Sequence, residues 1–273
     1  MNRIRVAEQS DWDGFIALAE AEGWRVPQRE QKLFRGPWKH AARALVVAGR
    51  CCGLVTAVAH QRSGWIGNLL VPPAERGRGY GRELFEGALA VLHAQETTSV
   101  WLTASAAGRP LYERYGFVAV DQVERWVLAA CRFGTTVAGR PGDPVVLLQR
   151  ADRAAWGENR SGLIACLADQ AQVFACEDAV ALLQHGPDLQ IIGPWYTPSG
   201  FPDANRQVLH NLLGATDPAV ELVIDVLGSA PIRPLLAAAG FTFAGRNDLM
   251  VRGAAGHVRL AMMAALASLG SFG

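Results

Sequence analysis

One run of glycines and arginines, Arg76-Gly77-Arg78-Gly79-Tyr80-Gly81, constrains the fold of this chain through what it separates. Upstream lies an apolar, strand-like segment, Trp65-Ile66-Gly67-Asn68-Leu69-Leu70-Val71, closed by Pro72-Pro73. Downstream, Leu84, Phe85, Ala88, Val91 and Leu92 repeat with the period of a helix. A glycine-rich turn between strand and helix gathers backbone N–H groups beside the positive end of the helix dipole, an arrangement that binds phosphate or pyrophosphate. Glycine permits φ > 0 and lets a ligand reach the backbone, while Arg76 and Arg78 add charge. On its own the string equally suits a surface turn with solvated arginines. The strand–turn–helix context is the condition that raises it above chance.

A second strand, Ser99-Val100-Trp101-Leu102-Thr103, follows, and then Gly108-Arg109-Pro110-Leu111-Tyr112-Glu113-Arg114-Tyr115-Gly116-Phe117. Pro110 suits the first turn of a short helix and Gly116 the left-handed residue that ends it. A phosphate turn, a strand and Tyr-x-x-x-Gly-Phe in this order resemble the GNAT N-acetyltransferase superfamily over roughly residues 1–130. The resemblance implies that Arg76, Gly77, Arg78, Gly79, Tyr80, Gly81 and Arg82 hold the pyrophosphate of acetyl-CoA. It also implies that the pantetheine arm runs along the backbone of Leu69, Leu70 and Val71, and that Tyr112 protonates the departing thiolate. The alternative for Tyr112 is a packed helix tyrosine; Tyr115, three residues on, reads as packing.

At 273 residues, half of them hydrophobic, the chain has material for two domains and a sizeable core. A net charge of +1 gives no electrostatic case for nucleic acid or an anionic membrane. No apolar run approaches the ~20 residues of a membrane span, and Met1-Asn2-Arg3-Ile4-Arg5 lacks the apolar stretch of a signal peptide. Five cysteines in an odd count, without Cys-x-x-Cys spacing, read as reduced thiols of a cytoplasmic protein, with no metal site.

Periodicity predicts a strand at 4–6, a helix from Ser10 or Asp11 to about Glu22, a loop at Gly36-Pro37 and a hairpin at 44–60 turning on Gly49-Arg50. The strand at 65–71, helix 80–94, strand 99–103, short helix 109–115 and strands of 117–130 follow, and Arg132 to Pro144 reads as a linker. Beyond it the chain repeats itself. Val145 to Asp152 matches Ile4 to Asp11 as a strand and a helix-capping Asp; Gln190-Ile191-Ile192-Gly193 matches the strand at Trp65-Ile66-Gly67; and Arg233-Pro234 to Gly240-Phe241 matches Arg109-Pro110 to Gly116-Phe117. The second copy has Pro202, Asn205 and Gln207 where the phosphate turn stands, and Leu236 in place of Tyr112. This layout, with Asp152 to Arg160 and Met250-Val251-Arg252-Gly253, resembles the second domain of bacterial tandem-GNAT proteins, which follows an active first domain and is itself degenerate. The expected fold is therefore α/β (α+β): two GNAT-like domains, each a mixed, mostly antiparallel sheet flanked by helices. Residues 1–135 form the catalytic domain, 145–253 the degenerate one that walls the acceptor site, and 254–273 a tail, either a docked helix or frayed.

The reaction implied is acetyl transfer from acetyl-CoA to the amine of a small-molecule acceptor, with Trp24, Trp195 and Asp225 as candidate residues of the acceptor cleft. A homodimer is left open. Relatives often carry a proton-accepting residue on the strand before the phosphate turn, where this chain has Trp65 and Gly67. The base then comes from Glu22, Asp225 or water, or the acceptor arrives already neutral. Thr103-Ala104-Ser105-Ala106-Ala107-Gly108 also replaces the Asp-Ala-Thr-Pro-Ala-Gly frequent in the tandem proteins, which bears on the acceptor class. The alternative function is a non-catalytic acyl-CoA-binding sensor or scaffold. A nucleotide-binding role is disfavoured, because the turn lacks both the Gly-Lys-Ser/Thr ending of a P-loop and the ribose-binding acid of a dinucleotide fold. Residues 1–140 alone are expected to bind acetyl-CoA but to lose most of the transfer.

Overall fold

The computed structural model describes residues 3–129, 144–169 and 171–273. The first half runs β1 (Arg3–Val6), α1 (Gln9–Ala21), α2 (Gln28–Arg35), β2 (Ala42–Val47), β3 (Arg50–Ala59), β4 (Ser63–Leu70), α3 (Tyr80–Ala94), β5 (Ser99–Ala104), α4 (Arg109–Arg114) and β6 (Val118–Leu128). The second runs α5 (Pro144–Trp156), α6 (Ser161–Ala168), β7 (Ala171–Cys176), β8 (Ala179–Gln184), β9 (Gln190–Tyr196), α7 (Pro202–Gly214), β10 (Leu222–Leu227), α8 (Arg233–Ala238), β11 (Thr242–Gly253) and β12 (Met263–Ala265). The linker expected over 132–144 lies, apart from Pro144, outside the described residues.

Local chemistry sets the boundaries. Glu8 and Asp11 form a reciprocal capping box that opens α1. Gly79, at φ +85°, caps α3. Pro110 opens α4, and Gly116, at φ +80°, turns the chain so that the Phe117 amide returns to the Tyr112 carbonyl at 3.2 Å. One segment goes beyond the sequence expectations and another differs from them. Gln28–Arg35 is helical although mostly polar, because Glu30, Leu33 and Phe34 form a buried face. Val145 to Arg150 belongs to α5 and is no strand: Leu148, Asp152, Ala155 and Trp156 are buried at helical spacing, while Val146, Leu147, Arg150 and Arg153 are exposed. Asp152 caps nothing; it accepts the Tyr196 hydroxyl at 2.6 Å and faces Arg160 at 3.4 Å.

The described strands form one mixed, mostly antiparallel sheet in the order β1-β2-β3-β4-β5-β11-β6-β10-β12-β9-β8-β7, with helices packed on it. Only β4 with β5 and β9 with β10 run parallel. The centre of this order exchanges strands between the halves. β11 lies between β5 and β6, pairing Met250 with Leu102, and β6 continues into the second half, pairing Arg125 with Asp225. Side chains reinforce the exchange. Trp156 of α5 packs edge-on against Trp65 and Trp101 at 6.5 and 5.6 Å between ring centres. Glu158 accepts the Ser63 hydroxyl and the amides of Arg62 and Ser63, and Arg29 of α2 donates to the carbonyls that end α6.

Each parallel pair opens into a wedge. β4 and β5 pair only over Ser63–Trp65 and Ser99–Trp101, after which Asn68, at φ +54°, bulges β4 away from regular register. β9 and β10 pair over Gln190–Ile192 and Leu222–Ile224, and beyond that point β12 occupies the wedge, pairing with both neighbours. Residues 254–273 are thus neither a docked helix nor frayed: β12 enters the sheet, and Leu266, Ala267, Ser268, Ser271 and Phe272 are buried. Small residues allow it. A Cβ on Gly193 would run into the Leu266 carbonyl, and one on Gly67 would meet the Gly270 carbonyl at 2.7 Å.

Candidate functional site

The phosphate turn stands where the sequence places it, at the mouth of the β4–β5 wedge. Leu69 is half-buried and Leu70 and Val71 are buried; a single 3₁₀ turn, Pro73–Glu75, leads into Arg76. Gly77 and Gly79 adopt φ of +79° and +85° with open space where a Cβ would stand. Glu83 donates the first helical bond, to the Gly79 carbonyl at 3.0 Å, so the amides of Tyr80, Gly81 and Arg82 point out of the helix end, with no backbone acceptor among the described residues. Carboxylates hold the arginines: Arg76 pairs with Glu22 at 2.9 Å and donates Nε to the Val71 carbonyl at 3.1 Å, while Arg78 and Arg50 share buried Glu75. A helix end arranged in this way has the geometry to receive an anion.

Gly79→Val is expected to lower the affinity for acetyl-CoA at least tenfold, about 1.4 kcal/mol. A Cβ there meets no protein atom within 4 Å, but a branched side chain disfavours φ +85° and fills the approach to the amides. Calorimetry reads this directly, and unchanged affinity would show that the pyrophosphate sits elsewhere.

Tyr112 projects from α4 into a cluster with Phe85, at 5.0 Å, and Phe117, at 6.3 Å. Burial pushes its phenol up to about 12, so it keeps its proton through neutral pH. No described residue hydrogen-bonds its hydroxyl. Tyr115 instead donates to Glu86 at 2.5 Å on the surface.

Residues 18–127 match the family described as acetyltransferase (GNAT) domain. The first half carries a GNAT domain. Acyl-CoA-dependent acetyl transfer is the general chemistry that this family supports. No curated protein matches the chain in sequence. Among solved structures, the chain is similar to a candidate acetyltransferase from Pyrococcus horikoshii (TM-score 0.80, 19% identity), over 100% of this chain and 96% of that one. It is similar to a GCN5-related N-acetyltransferase from Sphaerobacter thermophilus (TM-score 0.67, 14% identity, 92% and 95% covered). It is also similar to a tandem GNAT protein from the clavulanic acid biosynthesis pathway (TM-score 0.62, 16% identity, 93% and 98% covered). At these identities the likeness is one of fold.

The three candidate acceptor residues do not come together. Trp24 lines a groove of about 750 Å³ where the α1–α2 connection and α2 meet Asp188 and Leu189 of the second half. Trp195 is absent from it: fully buried on β9, it donates its indole N–H to Asn205 at 3.0 Å. Asp225 is buried too, held by Arg125 through two hydrogen bonds of 2.8 Å. Glu22, the other candidate base, pairs with Arg76. Sequence reasoning missed Glu30, a buried carboxylate on α2 that accepts the Ser271 hydroxyl. Desolvation pushes it up to about 7, against the pull of Ser271, the Leu269 amide and Arg125. Among the described residues no group of His, Cys, Asp and Glu is placed to hold a metal, and no helix is long and apolar enough to cross a membrane.

Proposed function

We propose that the chain is an acetyl-CoA-dependent N-acetyltransferase acting on the amine of a small molecule, with the coenzyme held by the first half. One observation carries this reading: the β4–β5 wedge opens directly beside the phosphate turn. Backbone of Leu69 to Val71 flanks the pantetheine arm there, and an amide of the bulged strand donates to the thioester oxygen as charge develops on it. Tyr112 then gives its proton to the leaving sulfur.

Acetyl-CoA binds once per chain in this reading, since β12 fills the equivalent wedge of the second half and Asn205 is committed to Trp195 and Thr197. The second half serves instead as a wall: Asp188 and Leu189 line the groove together with Trp24, and Glu22, the chain neighbour of its lining residue Gly23, pairs with Arg76 of the turn. The test is a panel of amines and amino acids with acetyl-CoA, read by released thiol, together with calorimetric stoichiometry. Thiol release with one site per chain is expected. Two sites per chain would contradict the division of labour. Tight binding without transfer to any amine would favour a sensor or scaffold, the reading that a side-chain-free Gly67 on β4 otherwise suggests.

A further inference from the structure

The position on β4 that could carry a base is Gly67, and the space beside it is taken by the C-terminal segment. Gly270 and Ser271 lie against the Gly67 backbone so closely that a Cβ there would meet Ser271 Cα and its carbonyl at 2.9 Å. Trp65 anchors the segment by donating its indole N–H to the Gly270 carbonyl at 3.0 Å. Asn68, the bulge residue at the open wedge, donates to Ser271 Oγ at 3.4 Å and to Thr56 at 3.2 Å. Ser271 in turn donates its hydroxyl to Glu30 Oε2. Bulge, hydroxyl and carboxylate therefore form one chain of hydrogen bonds, assembled from β4, the C-terminal segment and α2.

We propose that Glu30, acting through the Ser271 hydroxyl, takes the proton that the acceptor amine must lose. The proposal rests on the acetyltransferase reading. Two features single Glu30 out among the acids near the site. Among the described residues no donor stands within hydrogen-bond geometry of its buried Oε1, the Leu269 amide acting on the carboxyl more loosely, whereas Glu22 is paired with Arg76 and Asp225 is held by Arg125. The charged groups that face it, Arg125 of β6 and Asp225 of β10, are already paired with each other, and Ser271, Leu269 and Asn68 are neutral. Burial supports the same assignment, holding the carboxyl near 7 so that it exchanges protons at neutral pH.

The step balances. The neutral amine attacks the thioester carbonyl, forming the C–N bond while the carbonyl π pair moves to oxygen. The ammonium N–H of this adduct breaks, its proton passing to Ser271 Oγ as the Ser271 proton passes to Glu30 Oε2, and the carboxylate becomes a carboxylic acid. The oxygen lone pair re-forms the carbonyl, the C–S bond breaks, and the thiolate takes the Tyr112 proton. Glu30 then returns one proton, through solvent, to the Tyr112 phenolate. Amide and thiol are the products, and the enzyme is unchanged.

The pH dependence of transfer tests this in the full chain, with any amine that the wild type acetylates. Glu30 accepts a proton only when ionised, so, once the rate is expressed per neutral amine, the wild-type rate rises with pH through about 7 and then levels. Glu30→Gln is expected to lower kcat by about 10²–10⁴-fold and to erase that rise, with calorimetric affinity for acetyl-CoA unchanged. A folded carboxyl raised from 4.5 to about 7 weakens the fold, fully above pH 7 and not at all below about 4.5. Glu30→Gln therefore melts no lower than wild type at pH 8, which separates lost transfer from lost fold. Ser271→Ala, which keeps Glu30, should also slow transfer and serves as the second variant. Wild-type rates with the rise intact in either variant would overturn the role of Glu30. A wild type that binds acetyl-CoA but acetylates nothing would overturn the acetyltransferase reading, and the proposal with it.

Discussion

Replacing Tyr112 with phenylalanine is expected to slow turnover by about 10²–10⁴-fold while leaving acetyl-CoA affinity nearly unchanged. The ring provides the packing: it fills the space between Phe85 and Phe117, and the substitution keeps every one of those contacts. The hydroxyl contributes nothing to the fold that the described residues show, since none of them hydrogen-bonds it. Its pKa near 12 means the proton is present at any working pH, available to a hydrogen bond on the sulfur as negative charge builds there. A drop in kcat with unchanged calorimetric affinity and unchanged melting temperature is the expected signature. Wild-type turnover in the variant would make Tyr112 a packing residue.

Residues 1–129 expressed alone are expected to lose cooperative folding, a larger loss than the expectation from sequence that the first half survives on its own. In the full chain β5 has β11 as its neighbour over Ser99–Ala104, and β6 lies between two strands of the second half. Removing the second half leaves β5 with an unpaired edge, strips Trp156 from Trp65 and Trp101, and leaves the Ser63 hydroxyl and the Arg62 and Ser63 amides without Glu158. Losing a buried Trp alone costs about 3–5 kcal/mol, a large part of the 5–15 kcal/mol that typically separates a folded domain from its unfolded chain. Calorimetric melting checks this. The full chain should unfold in one transition and the fragment show none; a fragment that melts sharply and binds acetyl-CoA would show that β6 can replace β11 beside β5.

What was legible in the sequence was local. The bounds of α3, the phosphate turn and α4 follow from glycines at positive φ, from Pro110 and from an apolar period, all within a few residues of the feature they specify. The strand exchange is not written that way. β6 and β11 run antiparallel beside each other, and neither pattern states which half supplies the outer neighbour of each. Val145-Val146-Leu147-Leu148 reads as a strand because four apolar residues in a row carry no period; only the residues after it, packing through Asp152, Ala155 and Trp156, show the helix. Glu30 sits in the run Gln28-Arg29-Glu30-Gln31-Lys32, which looks like a solvated helix face. Its partner Ser271 lies 241 positions away, so burial and relay alike arise only on folding.

The exchanged strands also set a schedule for synthesis. The first half leaves the ribosome complete in its phosphate turn and Tyr112, yet β5 lacks its final neighbour until residues 242–253 have been made. At roughly 5–20 residues per second, that interval is on the order of ten seconds. Throughout it, an apolar strand edge, Val100-Trp101-Leu102, is open to any passing chain. β6, the other neighbour of β11 in the finished sheet, must leave room between itself and β5 when β11 arrives. Yield of soluble protein should therefore depend on how fast the second half follows, and slowed translation between residues 130 and 240 should favour aggregation of chains whose finished form is stable.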